Sequence, residues 1–385
     1  MSRPASISVA IACGGTGGHL LPGRAVAQSL AANGVTPHLF ISQKEVDRQL
    51  VRDLPSEQVT ALPAVAGGRR RVGAFLGGLF TSLRQSRATF RRLQPVAVLS
   101  MGGFSSVAPV LMGRWHGARV FLHEANAVAG RANRWLAWLA QEAYVHFPSA
   151  ADNLPNRSTR VVGMPVREEF HPRPSSECRA QLGLDLLRPT LLIMGGSQGA
   201  VSLNRVMLET LPLLLRQEPR LQFIHLTGAR ENVERLRAAY AVHHCPARVE
   251  AFLAETHLAM SAADVAVSRA GASSLAELAA TRLPAVLVPY PYAADNHQYH
   301  NARQFSESGA ARLLPQAEAT PQRLATEILA LLSRPAARDT MRDALTRRHH
   351  PHAADVVARH LLDAIGAGRL ATAVLPALAQ PETRF

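Results

Sequence analysis

Cysteine is scarce in this chain. Its three copies, Cys13, Cys178 and Cys245, lie far apart and form no C-x-x-C pair. That argues against a disulfide framework or a thiolate zinc site and fits a reducing compartment. Lysine is scarcer still: Lys44 is the only one, so 41 of the 42 basic residues are arginine, a pattern that resembles codon bias. A single lysine argues against lysine-based chemistry. Aromatic residues make up 5% of the chain. With no recognised nucleic-acid motif beside them, no nucleic-acid partner is expected. No apolar run reaches the ~20 residues of a membrane span. The short run before Cys13 is neither a signal segment nor a lipoprotein site, because cleavage there would destroy the strand feeding the next turn. No Asp-x-Asp occurs, so a metal-bound diphosphate is not indicated.

What is present is globular: 385 residues, 47% hydrophobic, 18% charged. That length accommodates two domains, each with its own core. A net charge of +14 points to an anionic partner such as nucleic acid, anionic lipid or a phosphorylated substrate; drift in composition would give the same number. Short apolar strands near 6–12, 36–41, 58–61, 96–99, 119–122, 142–146 and 159–162 fill the first half. Others near 189–194, 221–226, 248–251, 264–268, 285–288 and 311–313 fill the second. Helical patterns such as 25–33, 204–215 and 274–280 separate most of them. The alternation predicts α/β architecture: doubly wound parallel sheets with ligands at the carboxyl ends of the strands.

The first strand runs into Gly14-Gly15-Thr16-Gly17-Gly18-His19. Glycines at a strand-to-helix turn bring backbone close to a ligand, and the helix start favours an anion such as phosphate or diphosphate. No Gly-Lys-Ser/Thr follows, and Leu20 stands where G-x-G-x-x-G requires glycine, so neither common nucleotide fingerprint is met. A tight turn that merely needs small residues is the plainer, less favoured alternative. It is echoed after 190–194 by Gly195-Gly196-Ser197-Gln198-Gly199-Ala200. The echo predicts two halves with a cleft between them and a boundary near Val162-Gly163-Met164-Pro165, giving domains 1–164 and 165–350. A last helix over about 351–366 would pack back on the first domain, and the tail beyond Ala367 looks weakly ordered.

Other polar groups gather where strands end. Ser268-Arg269-Ala270-Gly271-Ala272-Ser273-Ser274-Leu275-Ala276-Glu277 reads as another helix start, with the serines capping it or donating to phosphate oxygens and Glu277 placed to accept from a ribose diol. A plain capping box of Ser274 and Glu277 fits as well. Asp295-Asn296-His297-Gln298 opens a helix with Asp295 as its cap, and its amides suit sugar hydroxyls; a solvated cap is the plainer alternative. His123-Glu124-Ala125-Asn126 and Met101-Gly102-Gly103-Phe104 leave strands in the same way.

From Gln58 to His123 there is no acidic residue but nine arginines, Arg69, Arg70, Arg71, Arg84, Arg87, Arg91, Arg92, Arg114 and Arg119. Within this stretch Val72, Phe75, Leu76, Leu79, Phe80 and Leu83 form one helical stripe. Such a basic amphipathic helix either lies on an anionic membrane or faces a core with a solvated basic side.

Taken in order, Gly14–His19, Met101–Phe104, His123–Asn126, Gly163-Met164-Pro165-Val166-Arg167, Gly195–Ala200, Arg269–Ala272 and Asp295–Gln298 resemble the MurG family of bacterial glycosyltransferases over about residues 6–365. The resemblance implies a GT-B fold, two Rossmann-like domains with an interdomain cleft. It implies inverting transfer of GlcNAc from UDP-GlcNAc to the C4 hydroxyl of MurNAc in lipid I, giving lipid II for peptidoglycan, cell wall, cell shape and division. It implies no cofactor, and a peripheral place on the cytoplasmic face of the inner membrane. Matching positions imply donor contacts at Thr16, Gly17, Gly18, Asn126, Arg167, Ser197, Leu253, Ala272, Ser273, Ser274, Leu275, Ala276, Glu277 and Gln298. Glu277 would hold the ribose, backbone near Leu253 the uracil, Asn126 and Gln298 the amino sugar, and Ser197 with the Ala272–Ser274 turn the diphosphate. Two positions depart from the family's pattern: Met164 stands where asparagine is common and Ala125 where glutamine is, which weakens a polar role at 164.

Inverting transfer needs a base on the acceptor hydroxyl and stabilisation of the departing diphosphate. His19 is the first candidate for the base and Glu124 the second. Because lipid I is an anionic lipid diphosphate, the resemblance favours membrane contact for Phe75, Leu76, Leu79, Phe80 and Arg84. The alternatives are a UDP-GlcNAc 2-epimerase, a diacylglycerol glycosyltransferase, and a non-catalytic nucleotide-sugar sensor or cell-wall scaffold.

Overall fold

The computed structural model describes residues 7–15, 17–63, 72–196, 200–228 and 231–366. They form two compact units: 7–167 joined by 350–366, and 168–349. The tail beyond 366, Thr16, Arg69 to Arg71, and Ser197 to Gly199 lie outside the described residues.

The first unit runs β1 (Ser8–Ala12), α1 (Gly17–Ala32), β2 (Thr36–Ser42), α2 (Glu45–Gln49), β3 (Val59–Leu62), α3 (Val72–Leu93), β4 (Ala97–Ser100), α4 (Val107–Trp115), β5 (Arg119–Glu124), α5 (Arg131–Leu136), β6 (Glu142–Val145) and β7 (Thr159–Val161). Its sheet has the order β3-β2-β1-β4-β5-β6-β7, and each described ladder is parallel. Val9, Ala10, Ile11 and Ala12 are fully buried, because a parallel strand covered on both faces must be apolar on both.

The second unit runs α6 (Ser175–Gln181), β8 (Thr190–Met194), α7 (Val201–Gln217), β9 (Gln222–Leu226), α8 (Glu231–Val242), β10 (Ala247–Glu250), α9 (Thr256–Ala262), β11 (Val265–Ser268), α10 (Ala272–Thr281), β12 (Ala285–Leu287), α11 (His297–Glu307), β13 (Arg312–Leu313), α12 (Pro321–Leu332) and α13 (Pro335–Arg348). Its sheet, β10-β9-β8-β11-β12-β13, is likewise parallel. Under α7 a buried chain of bonds runs from the Tyr240 hydroxyl to His225 Nδ1 (2.9 Å), from His225 Nε2 to Asn204 Oδ1 (3.1 Å), and from Asn204 Nδ2 to the Thr227 carbonyl (3.1 Å). The last bond fixes the Asn204 amide, and so the histidine tautomer.

Helix α14 (Ala353–Ala364) returns the chain to the first unit. Val357, Ala358, Leu361 and Leu362 share a core with Val9, Ile11, Leu20, Val26 and Leu30. Ser29 Oγ donates to Asp355 at 2.7 Å. The sequence pattern placed the first helix at 25–33, yet α1 starts at Gly17. First-turn N–H groups have no intrahelical partner, so Gly17 and Gly18 cost little there, and Pro22 gives up a single early bond.

Candidate functional site

In the first unit the strand order reverses between β1 and β4, the point where doubly wound sheets place ligands. The loop after β1 is tightly built. A Cβ on Gly14 would lie 2.3 Å from the Ser42 nitrogen, and Gly15 has φ +115°, so both positions require glycine. The Gly15 N–H donates to the buried Asp47 carboxylate at 2.7 Å. The same Asp47 oxygen accepts from the Ser42 N–H (3.0 Å) and hydroxyl (2.6 Å). Lys44 Nζ donates to the Gly15 carbonyl at 2.7 Å, and Ser105 Oγ donates to the Gly14 carbonyl. Gly14 and Gly15 thus serve close packing and loop anchorage, while Gly17, Gly18 and His19 form the first turn of α1. Cys13 is fully buried at the base of this loop and packs on Gly23.

His19 is half-buried. Its ring lies against the loop after β4: a Cβ on Gly103 would meet it at 3.2 Å and one on Gly102 at 3.4 Å. Both glycines have positive φ, +77° and +98°. The second glycine pair makes room for the imidazole, a relation that sequence spacing did not reveal.

Glu124 is buried at 2% exposure, and both of its oxygens are occupied. Oε1 accepts from the Asn126 backbone N–H (2.9 Å) and Asn126 Nδ2 (3.1 Å). Oε2 accepts from the Gly130 N–H and Asn133 Nδ2, both at 2.9 Å. Such a carboxylate folds its own loop and orients Asn126. Its lone pairs are committed, which places it poorly for the base role and leaves His19 as the better candidate. His123 is buried, and desolvation pushes its pKa down to about 4. It is neutral near pH 7, and its Nε2–H donates to the Gly163 carbonyl at 2.9 Å. Met164 is buried, in keeping with an apolar role. Arg167 is half-buried at the end of the first unit's leading segment.

In the second unit the reversal falls between β8 and β11. Helix α10 begins at Ala272 with Gly271 as N-cap and no side-chain cap. Ser273 and Ser274 are therefore first-turn residues rather than caps, and Ser274 with Glu277 is not a capping box. Ala272, Leu275 and Ala276 are buried, whereas Ser273, Ser274 and Glu277 stand half-exposed. Leu253 is buried just after β10 beside an exposed Phe252. Gln298 Oε1 accepts from the backbone N–H of Tyr290 (3.0 Å) and Ala270 (3.3 Å), so the amide's oxygen is engaged within the unit and the group could serve a further partner only as a donor. Asp295 does not cap α11: the N-cap is Asn296, and both residues adopt the left-handed region. Thr16 and Ser197 lie outside the described residues.

Helix α3 presents an unusual pair of faces. Ser82, Ser86, Thr89 and Phe90 are buried beneath it, while Leu76 is 57% and Phe80 70% exposed. Phe75 packs on Phe104 with centroids 4.9 Å apart, and Leu79 is half-buried. Arg84 is exposed one further turn along the Leu76–Phe80 line. The chain's three tryptophans, Trp115, Trp135 and Trp138, are 76–84% exposed on the neighbouring α4–α5 region. No described helix is long and apolar enough to cross a membrane.

Residues 9–145 match the glycosyltransferase family 28 N-terminal domain and residues 190–357 its C-terminal domain. A Verminephrobacter eiseniae protein named UDP-N-acetylglucosamine--N-acetylmuramyl-(pentapeptide) pyrophosphoryl-undecaprenol N-acetylglucosamine transferase is 38% identical over 334 residues, 86% of this chain and 90% of that one. An Alkalilimnicola ehrlichii protein of the same name is 37% identical over 365 residues, 93% of this chain and 99% of that one. Among solved structures, Acinetobacter baumannii MurG aligns with TM-score 0.71 at 26% identity, covering 93% of this chain and 99% of that one. The two parallel α/β units are of the GT-B class, and the chain belongs to the MurG family within glycosyltransferase family 28.

Proposed function

We propose that this protein transfers GlcNAc from UDP-GlcNAc to the C4 hydroxyl of the MurNAc unit of lipid I, with inversion, yielding lipid II and UDP. The second unit holds the donor. The observation that carries this reading is the start of α10, where the N-cap is Gly271 and the half-exposed first turns bear Ser273, Ser274 and Glu277. First-turn N–H groups and the helix dipole suit a diphosphate, and Glu277 suits a ribose diol. Gln298 donates to a sugar oxygen, and backbone near Leu253 meets the base. Arg167 belongs to the same donor set.

The first unit supplies the reacting side. His19 takes the proton from the C4 hydroxyl as that oxygen forms its bond to the sugar C1. The bond from C1 to the UDP oxygen breaks on the opposite face, and its electron pair leaves with the diphosphate. Asn126, oriented by Glu124, holds the amino sugar, and the first turn of α1 at Gly17 and Gly18 faces the developing charge. The acceptor is reached by peripheral contact with an anionic membrane through Leu76 and Phe80, with Phe75 and Leu79 beside them and Arg84 meeting headgroups.

The test is transfer of radiolabelled GlcNAc from UDP-GlcNAc to a lipid I analogue by the full chain. Labelled disaccharide-lipid, with UDP released only when lipid I is present, is the expected result. Formation of UDP-ManNAc without acceptor would overturn the reading in favour of an epimerase.

A further inference from the structure

Arg269 is a buried cation that has no anionic partner among the described residues. It follows the last residue of β11, is 4% exposed, and its backbone N–H donates to the Met194 carbonyl at the end of β8 (3.2 Å). It therefore starts at the strand switch point. Its guanidinium then reaches three other segments at the carboxyl edge of the sheet. Nη1 donates to the carbonyls of Val288 (2.9 Å) and Pro289 (3.2 Å) after β12. Nη2 donates to Ser202 Oγ (2.8 Å) in the first turn of α7 and to Gln316 Oε1 (2.6 Å) beyond β13. The group also lies over the Tyr290 ring, 5.6 Å from its centroid. Every one of these partners is neutral. Burial pushes its pKa down to about 10, so the charge persists near pH 7.

Neutral acceptors satisfy the N–H groups but leave the charge uncompensated, and an uncompensated buried charge is costly. Elsewhere in this unit the comparable buried arginine, Arg179, is paired with Asp264 at 2.8 Å. Among the described residues no carboxylate plays that part for Arg269.

We infer that the missing counter-ion of Arg269 is the diphosphate of the nucleotide-sugar donor. Arg269 thus has two linked roles. It ties the loops after β8, β11, β12 and β13 into one frame, and it holds a fixed positive charge beneath the place where leaving-group charge develops. It acts through the field and through the frame without touching the ligand, so it is a positioning residue. The inference rests on the placement of the donor in the second unit.

The experiment measures competitive inhibition constants of UDP and of uridine against UDP-GlcNAc for the full-length wild type, Arg269→Met and Arg269→Lys. A charge on the diphosphate predicts that Arg269→Met weakens UDP by about tenfold or more while uridine changes by about twofold or less. Arg269→Lys, which keeps the charge but loses the fork, keeps the wild-type ratio of UDP to uridine within about threefold. Parallel weakening of both inhibitors, or an unchanged UDP constant in Arg269→Met, overturns the inference and reduces Arg269 to a scaffold. Should Arg269→Met fail to fold, loss of the UDP preference in Arg269→Lys overturns it equally. Failure of UDP to compete with UDP-GlcNAc in the wild type would instead remove the donor assignment itself.

Discussion

The Asp47 carboxylate accepts the backbone N–H of Gly15 at 2.7 Å, so the first glycine of the loop with positive φ is bound by the protein's own anion rather than left open for a ligand's. Ser42 supplies two more donors to the same oxygen. Replacing Asp47 with alanine strands three donors in a buried place, each costing about 1–3 kcal/mol. Asp47→Asn keeps one acceptor oxygen and the shape but loses the charge that strengthens all three bonds. It is expected to lower turnover about tenfold or more by releasing the turn that carries His19, with the KM for UDP-GlcNAc changed about twofold or less. Steady-state kinetics in both substrates check this, with Asp47→Glu as the partial rescue. Equal damage to donor KM and turnover would make Asp47 a general stability residue.

The imidazole of His19 is confined by Gly103, where an added Cβ would stand 3.2 Å from the ring in a backbone conformation that disfavours side chains. Gly103→Ala therefore moves the ring or the loop at a strain cost of about 1–3 kcal/mol. Turnover is expected to fall at least about tenfold, approaching that of His19→Ala. A Gly103→Ala enzyme with full turnover would show that the ring's place does not matter to the reaction.

Gln298 offers a way to separate frame from ligand contact. Its oxygen serves the Tyr290 and Ala270 N–H groups, and the proposed function gives its nitrogen to the sugar. Gln298→Glu retains the acceptor and removes the donor, so the melting temperature should hold while the KM for UDP-GlcNAc rises about tenfold. Gln298→Ala loses both and should also lose about 1 kcal/mol of stability. A Gln298→Glu variant with normal KM would end the sugar-contact assignment.

Three buried histidines set the acid limit of the fold. Burial pushes His38 and His123 down to about 4 and His225 to about 3 from an ordinary 6.5. Below pH 6.5 the unfolded chain binds protons at these sites that the folded chain refuses. Stability is thus complete above that value and is lost as pH falls toward 4. At pH 4 the loss is about 3 kcal/mol for each of His38 and His123 and somewhat more for His225. Urea midpoints measured from about pH 7 down to about pH 4 should drop steeply. A flat profile would mean that these rings are already protonated in the native state.

Much of this molecule was legible before its coordinates, because parallel sheets demand continuous apolar runs and the chain supplies them. The strand at 36–41 and the one at 264–268 fell within a residue of β2 and β11. What stayed hidden was long-range pairing. Lys44 stood out as the sole lysine yet read as codon drift; only α2 brings it and Asp47 to Gly15. The half-turn glycines at 102 and 103 looked like a loop and turned out to be the wall behind His19. Arg269 was visible as one letter of a motif, but its lack of an anionic partner among the described residues is a fact about four segments at once. Likewise, helical periodicity fixed the stripe of α3 without saying which face the sheet would take.

That face is now the basis of a membrane prediction. Small polar residues, Ser82, Ser86 and Thr89, are buried under α3, and Leu76 and Phe80 point outward with Arg84 in line. A leucine or phenylalanine moved from water into the acyl boundary contributes about 1.5–3 kcal/mol, and an arginine near an anionic surface about 1 kcal/mol. Leu76→Glu with Phe80→Glu should therefore lower vesicle binding by at least about a hundredfold at any salt. Arg84→Gln with Arg87→Gln should lower it only about tenfold or more, and only at low salt on vesicles containing anionic lipid. Flotation on neutral and anionic vesicles separates the two contributions. Wild-type flotation by the double glutamate variant would move the membrane contact elsewhere, with the exposed Trp115, Trp135 and Trp138 as the next surface to substitute.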